Sequence, residues 1–413
     1  MNHFQPRGGQ LYAEGVPLSR IAEKVGTPAY VYSAATLLRH HDVVAEAFSQ
    51  RPTLLCFSVK SNSNLAVLRL LAQRGAGFDI VSGGELGRVL AAGGNPKKTV
   101  FSGVGKTDDE MAAALRAGIL IFNVESAEEL EALDRVGRRL KKRAAFSLRV
   151  NPDVDAKTHK HIATGKADTK FGVPFDEAVA LYEKSRRMKG VYARGVDCHI
   201  GSQLTTTAPV REAVGKVAKL YLGLLARGHA LSHLDVGGGL GITYTVERPP
   251  TVSAYARAVL EPLRGLPATV VLEPGRVLVG NAGILLTRVL YRKMTRSGGF
   301  LIVDAGMNDL MRPALYDATH GIVPVKPRRG KKTVWDVVGP VCESTDTLGK
   351  KRSFPPLEPG DLLAVQSAGA YGMSMASNYN SRVRPAEVLV QGKTFRVVRA
   401  RESQQDLWRL ERR

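Results

Sequence analysis

Lys60 stands where a short apolar run gives way to a polar turn, a place that suits covalent chemistry. Leu54–Val59 has the length and composition of a buried strand, and Ser61–Asn64 are turn residues. The free lysine amine has a pKa of about 10.4, which loss of solvent lowers, and the neutral amine is the nucleophile that forms Schiff bases. A lysine that merely extends its ammonium into solvent at a strand end is the commoner alternative. The choice between the two depends on the residues that accompany Lys60.

Other reactive residue types follow apolar runs in the same way. His199 closes one run, the triplet Gly237–Gly239 follows another, and Glu273–Arg276 follows a third. Asp79 and Arg149 stand near the ends of two more. Glycine exposes backbone N–H groups to an anion, although this triplet lacks the GxGxxG spacing of a dinucleotide site. The residues could therefore form one site if the fold brings the strand ends together.

Strands and helices alternate through the first two thirds of the chain, which predicts the element that positions these residues. The pattern indicates eight strands joined by helical crossovers, as in a (β/α)8 barrel, with an open doubly wound sheet as the alternative. The active site of such a barrel lies at the carboxyl ends of its strands. The predicted strands are Leu54–Val59, Gly77–Ile80, Thr99–Phe101, Ile119–Asn123, Ala144–Val150, Val191–His199, Leu231–Val236 and Thr269–Leu272.

The crossovers stop after about residue 286, and short strands separated by Gly, Pro and Asn turns follow. This pattern predicts an all-β domain, a sandwich or a small barrel. Ala29–Tyr32 has no place among eight barrel strands, so we expect it to join that β-domain. The predicted segments are 1–35, 36–283 for the barrel, and 284–413 for the β-domain with a short helical tail from Glu402.

Composition narrows the class of protein. The 413 residues are 44% apolar and 23% charged, which is typical of globular chains. We find no apolar window long enough to span a membrane and no apolar signal core near the N-terminus, so we expect a cytoplasmic protein without a membrane partner. Three cysteines without a CxxC support neither a disulfide framework nor a cysteine-based zinc site, and we expect no metal.

The net charge of +21 raises the question of nucleic-acid binding. The excess lies in short separate runs at residues 138–143, 326–332, 350–352 and 409–413, which are not interleaved with aromatic residues. No helix-turn-helix, zinc-finger or single-strand-binding signature accompanies them. The runs are better interpreted as solvated surface that attracts small anions, and we expect no nucleic-acid partner.

A set of motifs in a fixed order makes the chain recognisable. The motifs are FSVKSN, HIATGKADTKFGV, CHIGSQ, DVGGGLG, EPGR, DAGMNDLMRPALYDA, GPVCESTD and GAYGMSMASNYNSR. With them the sequence resembles the diaminopimelate decarboxylases, which are barrel-type, alanine-racemase-like enzymes dependent on pyridoxal 5'-phosphate (PLP) and grouped with ornithine and arginine decarboxylases. The resemblance covers nearly the whole chain and implies a homodimer with shared active sites.

The resemblance implies a set of cofactor-binding residues. Lys60 would bind PLP covalently, Glu273 would face the pyridine nitrogen and keep it protonated, and His199 would stack on the ring. Asp79 and Arg149 would border the ring. The residues implied for the phosphate group are Ser202, Gly238, Gly239, Gly275, Arg276 and Tyr371.

The resemblance also implies how the substrate is chosen. Cys342 would be the acid that protonates the carbon after CO2 leaves, and Glu343 would bind the distal ammonium of meso-2,6-diaminopimelate. Arginines suit its distal carboxylate because their planar donors pair bidentately. The implied substrate residues are Arg276, Arg312, Tyr316, Glu343 and Tyr371. Decarboxylation of another basic amino acid, such as ornithine or arginine, and a non-catalytic regulatory homologue are the alternatives.

Overall fold

A computed structural model describes residues 3–155, 170–296 and 298–411. The motif HIATGKADTKFGV begins at residue 161, and its part up to residue 169 therefore lies outside the described residues. The chain divides into two compact units. We call them the sheet unit, which comprises residues 1–40, 243–247 and 278–413, and the barrel unit, which comprises residues 41–242 and 248–277.

The barrel unit contains eight parallel strands that close on themselves. The first strand pairs with the second on one side and with the eighth on the other, and the fourth pairs with the fifth, which completes the circle. The closed (β/α)8 barrel predicted from the alternation is thereby confirmed. Barrel strands 1 to 8 are Thr53–Ser58, Gly77–Ile80, Thr99–Phe101, Ile121–Val124, Ala144–Asn151, Val191–Asp197, His233–Asp235 and Thr269–Leu272.

The helices begin and end where their terminal residues dictate. Helix Asp108–Ala117 begins after Thr107, which exchanges side-chain and backbone hydrogen bonds with Glu110, and it ends at Gly118 in the left-handed region.

The helices before the barrel are Leu18–Val25 and Ala34–Ala47. Those after barrel strands are Leu65–Gln73, Gly83–Ala91, Asp108–Ala117, Ala127–Arg139, Phe175–Ser185, Ala208–Ala226, Val252–Leu260 and Arg276–Val279.

The interior of the barrel changes from apolar to polar along the strands. A buried cluster joins five strands and consists of Cys56, Val100, Ile121, Ala145 and Val271 with Leu120. Side chains two residues apart on a strand share a face. The residues two positions further along these strands are Ser58, Ser102, Asn123, Ser147 and Glu273. All five are buried, so the strands place a polar layer immediately beyond the apolar one.

The sheet unit contains one small and one large sheet. Ala29–Ser33 lies between Gly283–Thr295, to which it is antiparallel, and Ala386–Gln391, to which it is parallel. The prediction that this early strand joins the β-domain is confirmed. The other strands of the large sheet are Gly298–Val303, Ile322–Pro324, Thr333–Val338, Thr347–Phe354, Leu362–Val365 and Thr394–Arg399.

The sequence interpretation missed several short elements. A three-stranded sheet is formed by Phe4–Arg7, Gln10–Ala13 and Val16–Pro17, in the segment 1–35 where the only strand we predicted is Ala29–Tyr32. The tail contains a 3-10 turn, Gln404–Leu407, where a helix was expected. In the described part of the chain, no helix combines the length and apolar character needed to cross a membrane.

Candidate active site

Lys60 lies two residues beyond the end of barrel strand 1, in the 3-10 turn Val59–Ser61. Its Nζ is 2.6 Å from Oδ2 of Asp79, which is fully buried at the end of barrel strand 2. The Lys60 side chain retains 39% exposure, so a ligand can reach the amine. Asp79, which the resemblance placed beside a cofactor ring, contacts the lysine itself.

Ser58 connects this ion pair to Glu273. Its hydroxyl lies 2.9 Å from Oδ2 of Asp79 and 3.0 Å from the backbone oxygen of Glu273. Its backbone N–H donates to the oxygen of Pro274. The ends of barrel strands 1, 2 and 8 are thus held together by one serine, which fixes the lysine turn relative to Glu273.

Glu273 is buried among hydrogen-bond donors and further carboxyl groups. Ser102 donates its hydroxyl to Oε1 at 3.1 Å, and Asn123 donates its amide to the same oxygen at 3.3 Å and to Oδ2 of Asp235 at 3.3 Å. Carboxylate oxygens of Asp197, Asp235 and Glu273 lie within 4.8 Å of one another. Burial and the nearby carboxylates raise the pKa of Glu273 to about 7, and those of Asp197 and Asp235 well above the ordinary value.

Three close carboxylates could also be a metal-ligand set. The side-chain amide of Asn123 donates hydrogen bonds to two of these carboxyl groups, those of Asp235 and Glu273. Such contacts are typical of carboxyl groups that are held together by hydrogen bonds. Sequence reasoning missed Ser102, Asn123, Asp197 and Asp235. The available signal was a polar residue inside an apolar strand, as in FNV and LDV.

His199 lies two residues beyond barrel strand 6, which ends at Asp197 rather than at the histidine as predicted. The backbone N–H of Gly238 donates to its Nδ1 at 3.2 Å. Burial and the positive charges of Arg149 and Lys60 lower the pKa of His199 well below its ordinary value. The ring is therefore neutral, with its proton on Nε2, and offers an uncharged flat face.

The glycine triplet after barrel strand 7 is a turn that admits no side chain. Gly237 and Gly239 have φ angles of 65° and 102°, and a Cβ on Gly238 would lie 2.2 Å from the backbone oxygen of Glu273. The N–H of Gly237 donates to Oδ1 of Asp235 at 2.9 Å. The triplet is therefore tied to the same carboxylate cluster.

Arg276 and Ser202 bring a charge and a hydroxyl together. Nε and Nη2 of Arg276 lie 3.3 and 3.0 Å from Oγ of Ser202, and Arg276 is buried. A Cβ on Gly275 would lie 3.1 Å from atoms of Ser58 and Ser61, so the turn before Arg276 is closely packed. A guanidinium and a hydroxyl beside a glycine turn form a donor set suited to phosphate.

These barrel residues fit PLP. An accessible lysine amine suits its aldehyde, a buried carboxyl suits its ring nitrogen, and a neutral imidazole suits its ring face. The cradle of glycines has no room for side chains, and the buried Arg276 guanidinium is a cation of the kind that suits phosphate. The predicted residues that lie in this barrel unit are Lys60, Asp79, His199, Ser202, Gly238, Gly239, Glu273, Gly275 and Arg276.

The remaining predicted residues lie in the sheet unit. Arg312 and Tyr316 occupy the two ends of the five-residue helix Arg312–Tyr316. Arg312 is buried; its Cζ lies 4.5 Å from the ring centre of Tyr244, and its Nη1 lies 2.8 Å from Nε2 of His320. Because Nδ1 of His320 faces the oxygen of Gln366, Nε2 accepts from the arginine. Tyr244 and His320 thus fix Arg312, which the sequence did not indicate.

Cys342 and Glu343 lie on an exposed loop that Asp346 organises. The Asp346 carboxylate accepts the N–H groups of Met307 and Val341 at 2.6 Å each. Cys342 is exposed, unlike the buried Cys56 and Cys198 of the barrel. The loop is thus held at its base while its tip, Cys342–Glu343, faces outward.

Tyr371 is half-buried and has a left-handed backbone with φ 55°. The next residue must be small, because a Cβ on Gly372 would lie 2.5 Å from the backbone oxygen of Ala368. The local backbone therefore determines where Tyr371 stands.

The barrel also has a cavity of about 1030 Å3 that lies elsewhere. It is lined by residues that precede strands, including Pro52, Ser232 and Ala268, so it lies at the amino ends of the strands. Barrel enzymes place their chemistry at the opposite end, where Lys60 is found. This cavity is therefore not the candidate active site.

Comparison with known proteins places these features in a family. Residues 34–280 match the family described as pyridoxal-dependent decarboxylase, pyridoxal binding domain. A diaminopimelate decarboxylase of Pseudomonas aeruginosa is 54% identical over 99% of this chain and 98% of its own.

Solved structures agree with the sequence relatives. The diaminopimelate decarboxylase of Helicobacter pylori complexed with L-lysine superposes with a TM-score of 0.93, at 44% identity over 95% of this chain and 99% of that one. That of M. jannaschii in co-complex with L-lysine gives a TM-score of 0.95 at 37% identity, over 100% and 98% of the two chains.

Proposed function

The chain belongs to the diaminopimelate decarboxylases, and from that membership we infer that it converts meso-2,6-diaminopimelate to L-lysine and CO2, the last step of lysine biosynthesis. The inference rests chiefly on the 54% identity to a named diaminopimelate decarboxylase over nearly the whole chain. Its cofactor is PLP, in keeping with the pyridoxal-binding family that matches residues 34–280. The reaction class is that of a carboxy-lyase.

The barrel residues would hold the cofactor. Lys60 would be the residue of covalent attachment, and its ion pair with Asp79 holds the side chain at the strand ends. Arg276, Ser202 and the glycine turns would bind the phosphate, and Tyr371 would add a hydroxyl. His199 would lie against the ring, since a neutral imidazole adds no charge to compete with the ring's own.

The bound cofactor supplies a pyridinium ring that accepts the electron pair left behind when CO2 departs. The role of Glu273 is to keep the ring nitrogen protonated. Burial raises the pKa of Glu273 to about 7, and a cation beside its carboxyl lowers that pKa again, so the ionised carboxylate and the protonated nitrogen stabilise each other.

The substrate's far end carries both an ammonium and a carboxylate. Arg312, held by Tyr244 and His320, presents a fixed cation for the carboxylate, and Arg276 is the second candidate cation. Glu343 would bind the ammonium, and Tyr316 would line the same pocket. Ornithine and L-lysine lack the distal carboxylate and would lose its pairing with these arginines, and each lost interaction with a buried charged group costs about 1–3 kcal/mol.

Cys342 would hold the proton that the substrate carbon receives. Its Sγ is exposed on the loop that Asp346 organises, whereas burial raises the pKa of the Cys56 and Cys198 thiols. A thiol at the tip of a loop can reach a substrate, donate its proton and be protonated again before the next turnover. Cys342 is thus the cysteine whose surroundings suit an acid.

We further propose a homodimer with shared active sites, in a reducing cytoplasm. In the single chain, Cys342, Glu343 and Tyr379 are exposed, which supports the shared site because the partner's barrel would cover them. The free Cys342 thiol supports a reducing compartment, because its role as a proton donor requires the reduced form. The basic surface runs would attract anionic substrate rather than nucleic acid.

A CO2-release assay over a panel of diamino acids tests the proposed function. We expect turnover of meso-2,6-diaminopimelate and at least roughly hundredfold lower kcat/KM for ornithine and L-lysine, as expected for unpaired buried charges. Borohydride treatment of the coloured protein should bleach its visible absorbance and fix the cofactor on Lys60, as seen by peptide mass spectrometry. Comparable efficiency on ornithine would contradict the assignment.

A further inference from the structure

The turn that contains Tyr379 and Asn380 contacts both residues at the tip of the Cys342 loop. The backbone N–H of Cys342 donates to Oδ1 of Asn380 at 2.9 Å. The Tyr379 hydroxyl donates to Oε1 of the neighbouring Glu343. Two adjacent residues of one turn thus bond to two adjacent residues of another.

The turn itself is built to hold this arrangement. The backbones of Asn380 and Ser381 are left-handed, with φ of 55° and 52°, a region that asparagine tolerates better than most residues. Ser377 donates its N–H to the oxygen of Asn308 at 2.9 Å, and Asn378 donates its amide to Glu402 at 2.8 Å. The two residues that lead into the turn are therefore anchored by contacts outside the Cys342–Glu343 tip.

We propose that Tyr379 and Asn380 are positioning residues for the reaction: Asn380 fixes the Cys342 backbone, and Tyr379 holds the Glu343 carboxylate in the orientation that receives the substrate's distal ammonium. This inference rests on the proposed function, because it assigns Glu343 to the ammonium and Cys342 to the proton. It gives a role to the SNYNSR part of a motif for which the sequence supplied none.

The chemistry of the Tyr379–Glu343 bond supports a shared carboxylate. The phenol donates to one oxygen, Oε1, and a carboxylate has further lone pairs for an ammonium. The bond to Glu343 raises the pKa of Tyr379, so the hydroxyl remains a donor at neutral pH. Without the phenol, the long glutamate side chain would have to lose its rotamer freedom when the substrate binds.

The two residues should give different kinetic signatures. Tyr379→Phe removes a hydroxyl that acts on binding, so we expect KM for meso-2,6-diaminopimelate to rise roughly tenfold, with kcat changed by less than about twofold. Asn380→Gly removes the side-chain oxygen but keeps a residue at ease with φ 55°, so we expect kcat to fall roughly tenfold because the Cys342 thiol is misplaced. Asn380→Asp, which retains the acceptor, should restore most of kcat.

A substrate analogue and a double mutant separate this role from a structural one. 2-Aminopimelate has the distal carboxylate but no distal ammonium, so its inhibition constant should be the same in Tyr379→Phe and the unmodified enzyme. In a Glu343→Gln background, Tyr379→Phe should have little further effect on KM, since the partner is already lost. The matched controls are Tyr291→Phe, an exposed tyrosine on a strand, and Lys141→Gly, an exposed residue with φ 51°. Both should behave as the unmodified enzyme.

The outcomes are distinct. Unchanged KM in Tyr379→Phe, or an equal loss of affinity for 2-aminopimelate, would overturn the role of Tyr379. The role of Asn380 would be overturned if a lower thermal midpoint explained the loss of kcat in Asn380→Gly and if Asn380→Asp did not restore kcat. Failure of the unmodified enzyme to decarboxylate meso-2,6-diaminopimelate would instead overturn the proposed function.

Discussion

The side-chain amide of Asn123 donates a hydrogen bond to Oε1 of Glu273 at 3.3 Å, inside a barrel layer where both residues are buried. The same nitrogen lies 3.3 Å from Oδ2 of Asp235, whose other oxygen accepts the N–H of Gly237. One amide thus connects the proposed partner of the pyridine nitrogen to the proposed phosphate turn. The two ends of the cofactor site are coupled through the barrel interior.

We expect Asn123→Leu to weaken PLP binding by roughly tenfold or more. The substitution keeps the volume but removes the donor that Glu273 and Asp235 share, and the loss of a hydrogen bond to a charged group costs about 1.5–3 kcal/mol. Equilibrium dialysis of PLP against the cofactor-free protein measures the effect. Ser147→Ala is the matched control: Ser147 is buried in the same polar layer, and no hydrogen bond joins its hydroxyl to Glu273 within the described residues. Equal affinity in Asn123→Leu and Ser147→Ala would refute the coupling.

Glu273 should make the stability of the cofactor-free protein depend on pH. Its pKa is about 7 in the folded chain against about 4.3 when unfolded, so the folded state binds the proton more tightly. Below about pH 4 the carboxyl is protonated in both states and carries no penalty. Between about pH 4 and pH 7 the unfolded chain ionises while the folded chain keeps its proton, so stability falls as pH rises through this range, and above pH 7 the loss is complete and constant.

Glu273→Gln removes this dependence because glutamine stays neutral. At pH 8 we expect the cofactor-free variant to be more stable than the unmodified protein by an amount on the order of 3–4 kcal/mol, and at pH 4 to be equal to it. Thermal midpoints of the two proteins across this range provide the measurement. With PLP bound the order at pH 8 should reverse, since the variant cannot pair with the pyridinium. A constant difference at all pH values would show that burial does not raise the pKa of Glu273.

The residues at the strand ends could be predicted because the alternation of strands and helices is enough to recognise the barrel. Gly77–Ile80 and Thr99–Phe101 are apolar runs of strand length between turns, and the structure has them with the predicted bounds. Lys60 and Glu273 stand out because they follow such runs. By contrast, Thr347–Phe354 contains Lys350, Lys351 and Arg352 and is formed by pairing with Thr333–Val338, which no local pattern reports.

Contacts across the closed barrel could not be predicted. Asn123 lies 112 positions from Asp235 and 150 from Glu273, and only closure of the sheet brings the three together. Tyr379 and Glu343 are likewise 36 positions apart, on two loops whose meeting depends on the sheet beneath them. Strand alternation predicts which residues face inward, but not which inward residues meet.

We expect Arg312→Lys to impair substrate binding strongly, although the substitution keeps the positive charge. Lysine keeps the cation but cannot pair bidentately with a carboxylate, nor can it keep the planar contact with the Tyr244 ring. We expect KM for meso-2,6-diaminopimelate to rise roughly tenfold to hundredfold, with cofactor absorbance unchanged. Arg328→Lys, at an exposed arginine that pairs with Asp361, is the matched control and should leave KM as it was. Equal effects of the two substitutions would argue against Arg312 as a carboxylate ligand.

Mixing two inactive variants tests whether each active site takes residues from both subunits. Lys60→Ala and Cys342→Ala should each lose nearly all turnover, and Lys60 lies in the barrel unit while Cys342 lies in the sheet unit. A two-fold interface pairs the same patches reciprocally, so each chain would lend its loop to the partner and receive one. In a mixed dimer one site then carries both defects, and the other has an intact lysine and an intact cysteine.

Random exchange makes about half the dimers mixed, so roughly a quarter of the unmodified activity should return. CO2 release before and after denaturant-assisted subunit exchange measures the recovery, and mass spectrometry of differently tagged subunits verifies that exchange took place. A site built within one chain predicts no recovery at all, because every lysine-deficient or cysteine-deficient chain keeps its own defect. Activity that stays at the level of the separate variants, with exchange verified, would therefore place Cys342 in the site of its own chain and exclude the shared arrangement.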